Sequence, residues 1–169
     1  MLTVNHIAAA GASQRAATAR EILDDVPLGA FIAYSDGSPQ PPARFKNKLS
    51  AWERSNGVGT LVSKDLARAT FTLHEGAFSS RGTVVLTVVR NHGLESRLQF
   101  TVTSLPTAGQ VLIVNRSAIA GDELTHIADG ADSARAFLFG NRCNAAVLIE
   151  VQANGSHIEL SPDHVGAAA

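Results

Sequence analysis

Cysteine is almost absent from the sequence: the chain holds one, Cys143, so no intrachain disulfide can form. Aromatic residues make up only 5% of the chain, with one tryptophan and one tyrosine. No apolar run approaches the roughly 18 residues that a membrane-spanning helix needs. The N-terminus shows no basic segment followed by an apolar core, so we expect a cytoplasmic protein that is neither exported nor embedded in a membrane.

The composition is that of a globular protein. Hydrophobic residues make up 45% of the 169 residues and charged residues 17%, which suits one domain with a real core. We therefore predict a single domain over residues 1–169, with residues 1–10 and 161–169 flexible. Arginine outnumbers lysine 11 to 3 and alanine is abundant, a composition typical of a high-GC bacterial genome.

Charge is distributed unevenly along a chain whose formal net charge is only -1. Residues 40–100 carry nine cations against four acidic residues, whereas residues 1–39 have net charge -2 and residues 101–169 net charge -4. A basic segment between two acidic ones indicates an acidic partner for the middle of the chain. That partner is either nucleic acid or an acidic protein surface, including the protein's own acidic flanks.

The clearest helical pattern lies in residues 41–57. Phe45, Leu49 and Trp52 recur at i, i+4 and i+7, which predicts an amphipathic helix that packs its aromatic side on the core. Asn56 and Gly57 are expected to end it in the left-handed conformation. The same segment carries four of the cations, so the helix either is a solvated support for the sheet or contributes to an anion-binding surface.

Two further stretches show helical spacing. Residues 13–26 predict a helix with Ser13 as its N-cap and Pro27 after its end. Residues 120–141 predict two short helices broken at Gly130. Three central stretches rich in Val, Thr and Phe and two other apolar stretches predict strands, and residues 145–160 predict a terminal hairpin that turns at 154–155. The strand stretches are residues 28–34, 67–74, 83–91, 94–103 and 109–117.

Three of these strands predict an antiparallel meander if their apolar residues share one face. The predicted rows are Leu73 with Val84 and Val102, Phe71 with Leu86 and Phe100, and Ala69 with Val88 and Leu98. Residues 92–94 would then form the second hairpin loop. On the opposite face, Arg68 and Arg97 would lie roughly 10 Å apart across Val89. We therefore predict an α+β fold: a central meander of about four antiparallel strands plus a C-terminal hairpin, packed with three to four helices.

Motifs for catalysis or metal binding are weak. Glu123 and His126 have the Glu-x-x-His spacing that metal sites use on helices, but the sequence holds no second copy of that motif. Cys143 has no base assigned to it and is more simply a small buried residue. The sequence therefore indicates no catalytic residue, no metal site and no cofactor.

We predict a non-enzymatic binding protein whose basic middle contacts nucleic-acid phosphates. Two alternatives stay open: a protein-interaction or homo-oligomeric assembly subunit, and an enzyme whose active site these motifs do not show. The candidate anion-binding residues are Arg44, Lys48, Lys64, Arg68 and Arg97.

Overall fold

A computed structural model describes residues 14–80, 83–117, 121–141 and 146–160. Within these ranges the chain forms ten strands and three short helices. The first half contains β1 (Arg15–Ala17), α1 (Ala19–Asp24), β2 (Phe31–Ser35), α2 (Lys46–Glu53), β3 (Gly57–Asp65), β4 (Thr70–Ser80) and β5 (Thr83–Gly93). The second half contains β6 (Gln99–Ser104), β7 (Val111–Ser117), β8 (Gly121–Ala128), α3 (Ala131–Asn141), β9 (Ala146–Val151) and β10 (His157–Leu160).

The predicted α+β fold is wrong, because the described chain is mainly one antiparallel sheet. The strand order is β1-β6-β2-β3-β8-β7-β9-β10, with β4 paired to β3 and β5 paired to β4. The helices are too short to form a layer of their own, since the longest has 11 residues. No helix among the described residues is long and apolar enough to cross a membrane. The single-domain prediction stays a prediction.

The part of the sheet that runs from β6 through β2, β3 and β4 to β5 curls on itself. Its outer strands β6 and β5 are four strand spacings apart, which would be about 19 Å in a flat sheet. The rings of His92 on β5 and Phe100 on β6 nevertheless lie with their centroids 5.2 Å apart. The curled sheet encloses an apolar core that α1 closes with Ile22 and Leu23, both buried.

A second core surrounds β7, which is buried on both faces. Val111 and Ile113 pack against one side with Ala134 of α3. Leu112 and Val114 pack on the other side, where Leu28 from the connection before β2 and Val62 from β3 join them. This two-sided burial explains the uninterrupted apolar run at the start of the strand.

The predicted meander is right in its first pairing, because β4 and β5 pair antiparallel, but it is wrong in the partner of its third strand and in its register. β5 pairs with β4 alone among the described strands, while β6 pairs with β1 and β2. Phe71 lies opposite His92, and Leu73 lies opposite Arg90, rather than opposite Leu86 and Val84. The shared-face rule is satisfied, but by strands distant in sequence: β6 places its apolar residues beside those of β2. Register shifts within the β4–β5 pair also defeat any rule that assumes a constant register.

The helix predictions are right in part. α1 is only six residues long and is capped by Thr18, which forms a capping box with Glu21; the predicted cap Ser13 lies outside the described residues. Residues 121–128 form a strand instead of the first of two helices. The strand predicted at 28–34, the strand at 109–117 and the terminal hairpin are confirmed as β2, β7 and β9–β10.

Candidate anion-binding surface and a buried polar cluster

The helix α2 lies in a long connection between two adjacent strands. β2 and β3 pair antiparallel, with Tyr34 opposite Gly57, so residues 36–56 leave the sheet and return to it at the same place. Gly57 does not provide the predicted left-handed stop, because it begins β3. It provides space instead: a Cβ there would lie 2.6 Å from the Tyr34 hydroxyl oxygen.

The two ends of this connection are joined by the side chain of Asn56, which is buried. Its Oδ1 accepts a hydrogen bond from the Ser35 hydroxyl at 2.6 Å. Its Nδ2 donates to Asp36 and to the carbonyl oxygen of Trp52, at 3.0 Å each. The Trp52 indole in turn donates to the Ser38 carbonyl at 2.9 Å. These bonds fix the position of α2 by polar contacts rather than by core packing.

No residue of α2 is buried, so the predicted packing of Phe45, Leu49 and Trp52 on the core is wrong. Phe45 is 42% exposed and serves as the N-cap without a side-chain cap hydrogen bond. The Arg44 guanidinium carbon lies 4.8 Å from the centroid of the Phe45 ring, and the Lys48 ammonium lies 5.5 Å from it.

The cations of this connection are all exposed. Within the described chain, no ion pair holds any of them, and the first turn of α2 contains no acidic residue. We call this region the basic helix surface; it consists of Arg44, Phe45, Lys46, Lys48 and Arg54.

The remaining predicted anion-binding residues lie elsewhere. Lys64 is seven residues along β3 from Gly57, about 23 Å at the usual rise of a strand. Arg68 lies in the turn after β3, where it pairs with Asp65 at 3.3 Å. Arg97 is exposed in the connection between β5 and β6. The predicted row of Arg68, Val89 and Arg97 is therefore wrong, since neither arginine lies on a strand.

Lys64 lines a groove of about 700 Å³ together with leucine and aspartate side chains. Burial lowers the pKa of its ammonium group, and the negative charges of Asp24 and Asp25 partly offset this effect. The groove also contains Asp65 and Asp122, so carboxylates outnumber the single cation. This setting is less suited to an anion than the basic helix surface.

A polar cluster that the sequence did not reveal lies inside the curled sheet. We call it the buried polar cluster; it consists of Tyr34, Glu75, Arg90 and His92. The Glu75 carboxylate accepts hydrogen bonds from Arg90 Nε at 2.6 Å and from Arg90 Nη2 at 3.2 Å. It also accepts one from the Tyr34 hydroxyl. His92 is only 6% exposed and packs between aromatic rings, and no described group bonds to its Nε2.

The protonation states in the buried polar cluster follow from these contacts. Burial raises the pKa of the Glu75 carboxyl, but hydrogen bonds from Arg90 and Tyr34 outweigh it, so that this pKa lies below its usual value. Burial and the Glu75 charge raise the pKa of Tyr34 to about 12. Burial, then the charge of Arg90, lower the pKa of His92. Glu75 is thus an ionised acceptor whose oxygens are already engaged, which suits a structural role better than that of a general base.

The weak metal and thiol candidates gain no support. Glu123 and His126 lie on β8 rather than on a helix, so the helical spacing does not apply. His126 stacks on Phe137 with 4.2 Å between centroids. Across the described part of the chain, no three His, Cys, Asp or Glu residues are placed to hold a metal ion. Cys143 lies outside the described residues.

Comparison with protein families gives a match to the model described as "Uncharacterised conserved protein UCP036055", over residues 17–155. No curated protein and no solved structure matches the chain. The matched range contains both the basic helix surface and the buried polar cluster.

Proposed function

We propose a function for this chain, which belongs to the family of uncharacterised conserved protein UCP036055. It is a non-enzymatic binding protein that contacts nucleic-acid phosphates through the basic helix surface. One observation carries this proposal: α2 buries no residue, yet it presents exposed cations that no described carboxylate neutralises. Exposed unpaired cations next to one another supply the sequence-independent part of nucleic-acid affinity. The cytoplasmic, bacterial setting predicted from the sequence is part of the same proposal.

The placement of the cations supports a ligand rather than a stabilising role. Lys46 and Lys48 occupy the first turn of α2. The helix dipole is positive at that end, so each lysine there destabilises the helix by about 0.3–1 kcal/mol. A bound phosphate offsets this cost, because it is attracted both to the lysines and to the free N–H groups of the first turn. An anionic partner therefore accounts for these lysines better than a purely solvated helix does.

The other predicted residues have a smaller part in the proposal. Asp65 already holds Arg68, and Lys64 lies in a groove richer in carboxylates than in cations. Arg97 is exposed and forms no ion pair with a described residue, so it is the one of the three whose charge is available to a long ligand. We propose that binding centres on Arg44 and Lys48.

Fluorescence anisotropy with a labelled 20-nucleotide DNA, measured from 50 to 300 mM salt, tests this proposal. The double variant Arg44→Gln with Lys48→Gln should weaken binding and reduce the slope of log K against log salt by about 1.4 to 1.8. The matched control is Arg15→Gln with Arg20→Gln, which removes the same charge from exposed positions at β1 and α1. That control should bind almost as the wild type does.

Two results would overturn the proposal. One is equal weakening by both double variants, since net charge alone would then explain it. The other is binding to polyglutamate without binding to DNA at 50 mM salt, which would replace nucleic acid by an acidic protein as the partner.

A self-associating assembly subunit is the second candidate, and the edges of the sheet favour it. Among the described strands, β5 pairs only with β4, and β10 pairs only with β9. Val89 on β5 is 54% exposed and Ile158 on β10 is 50% exposed. Unpaired edges with exposed apolar residues are templates for pairing with another chain. Light scattering after size-exclusion chromatography tests this candidate: a monomer at 100 µM would exclude it, and a defined oligomer that Ile158→Lys dissociates would support it.

A further inference from the structure

We infer that the basic helix surface takes single-stranded nucleic acid, with a base stacked on the Phe45 ring and the adjoining phosphates held by Arg44 and Lys48. This inference rests on the proposed function and narrows its ligand. It goes beyond phosphate contact, because it assigns an aromatic residue to base recognition.

Phe45 has no evident role in the fold. The residue is 42% exposed, so it contributes little to the core. It occupies the N-cap of α2, a position where the side chain of Ser, Thr, Asp or Asn would accept a stabilising hydrogen bond from the backbone. The Phe45 side chain makes no such bond. An exposed aromatic residue between two cations is instead the composition of surfaces that bind single strands.

The backbone of Phe45 is held on both sides. Its N–H donates to the Pro42 carbonyl at 2.9 Å, and its carbonyl accepts from the Leu49 N–H at 2.9 Å. The Trp52 indole, through its bond to Ser38, ties the helix to the preceding loop. A ring on a fixed backbone loses less conformational freedom on binding than one on a mobile loop.

A base competes with the two cations for the ring, and the magnitudes favour the base. A cation over an exposed aromatic ring improves an equilibrium by about two- to five-fold. Stacking of a base on an aromatic side chain improves binding by about five- to 150-fold. The displaced guanidinium or ammonium group lies within about one side-chain length of the ring, where it can pair with the phosphate of the stacked nucleotide.

A duplex cannot use Phe45 in this way. Its bases are stacked on their neighbours and paired, so exposing one requires unstacking and unpairing. A duplex would therefore contact Arg44 and Lys48 through phosphates only. Since every base has a π face, the surface should discriminate single strands from duplexes but discriminate weakly among sequences.

Three labelled probes test this inference: a 20-nucleotide oligothymidine, a 20-base-pair duplex, and a 20-unit abasic strand that has phosphates but no bases. The wild type should bind oligothymidine at least five-fold more tightly than the abasic strand. Phe45→Ala should remove that difference while leaving affinity for the abasic strand unchanged. Phe45→Tyr should retain it, and Phe45→Leu, which is apolar but has no ring, should not. Circular dichroism of each variant checks that α2 is intact.

The outcomes separate this inference from the proposed function. If Phe45→Ala weakens all three probes equally, Phe45 supports the structure of α2 and the inference is overturned. If the wild type binds duplex and oligothymidine alike and Phe45→Ala changes neither, the inference fails but phosphate binding through Arg44 and Lys48 stands. If none of the probes binds at 50 mM salt, both are overturned.

Discussion

Two arginines in this molecule have opposite surroundings. Arg90 lies in the buried polar cluster, where its side chain is 31% exposed and two of its nitrogens donate to Glu75. Arg44 lies on the basic helix surface, exposed to solvent and without an ion pair in the described chain. The charge of Arg90 is compensated within the fold, whereas that of Arg44 is available to a partner. Position in the sequence does not distinguish them, because both belong to the same basic segment.

Removal of the carboxylate that pairs with Arg90 should have the largest effect on stability. Glu75→Ala leaves the Arg90 guanidinium and the Tyr34 hydroxyl without their acceptor in a partly buried place. We expect the free energy of unfolding to fall by about 2–4 kcal/mol, measured by urea denaturation. Asp132→Ala is the control, because it removes an exposed partner of Arg135 and should change stability by less than about 1 kcal/mol. A loss below about 1 kcal/mol for Glu75→Ala would show that the cluster is not stabilising.

Acidification should lower the free energy of unfolding through the buried polar cluster, of which His92 is a member. The pKa of His92 is lower in the folded chain than in the unfolded chain, so its neutral form stabilises the fold above pH about 6.5. As the pH falls below that value, the unfolded chain binds a proton that the folded chain resists, and stability decreases by up to about 1.4 kcal/mol per pH unit.

Urea denaturation between pH 7.5 and 5 measures this slope. Glu21, Asp36 and Glu75 have lowered pKa values, and their stabilising effect is lost only as the pH falls below the ordinary values of 4.5 for Glu and 3.8 for Asp, outside this window. His92→Phe keeps an aromatic ring among Tyr34, Phe71 and Phe100, and should make the profile flatter. Identical slopes for the variant and the wild type would assign the effect to other groups.

Neutralising the exposed cations should have the smallest effect on stability. Arg44→Gln with Lys48→Gln removes no described ion pair and opens no cavity. The melting temperature should change by less than about 2 °C, which corresponds to about 0.5–1 kcal/mol for a chain of this size. Differential scanning calorimetry checks this. A loss of stability comparable with that of Glu75→Ala would show that Arg44 and Lys48 stabilise the fold, as Arg90 does.

The sequence predicted strands better than it predicted their partners. Short runs rich in apolar and β-branched residues located β4, β5, β6 and β7, because that signal is local. Pairing is not local: Tyr34 on β2 meets Phe100 on β6, which requires the chain to return after more than sixty residues. An equally good shared face with β5 was available from the sequence alone, but β6 has a partner on each side, β1 and β2.

The candidate site was predictable only as a set of charges, and its function stays a prediction. Charge counting located Arg44 and Lys48, since formal charge requires no coordinates. The i, i+4, i+7 pattern of Phe45, Leu49 and Trp52 could not show whether a core lies beneath it, and here none of the three is buried. The buried polar cluster had no signal, because its members come from three strands, β2, β4 and β5, and β2 pairs with neither of the other two.

The long connection of residues 36–56 has a consequence for how the molecule could change. Its two ends lie side by side, with Tyr34 opposite Gly57, and Asn56 clasps them together. Adjacent antiparallel strands can also be joined by a two-residue turn. The pairing of β2 with β3 therefore sets no lower limit on this connection beyond such a turn, and a shorter loop between Tyr34 and Gly57 should leave the two strands side by side.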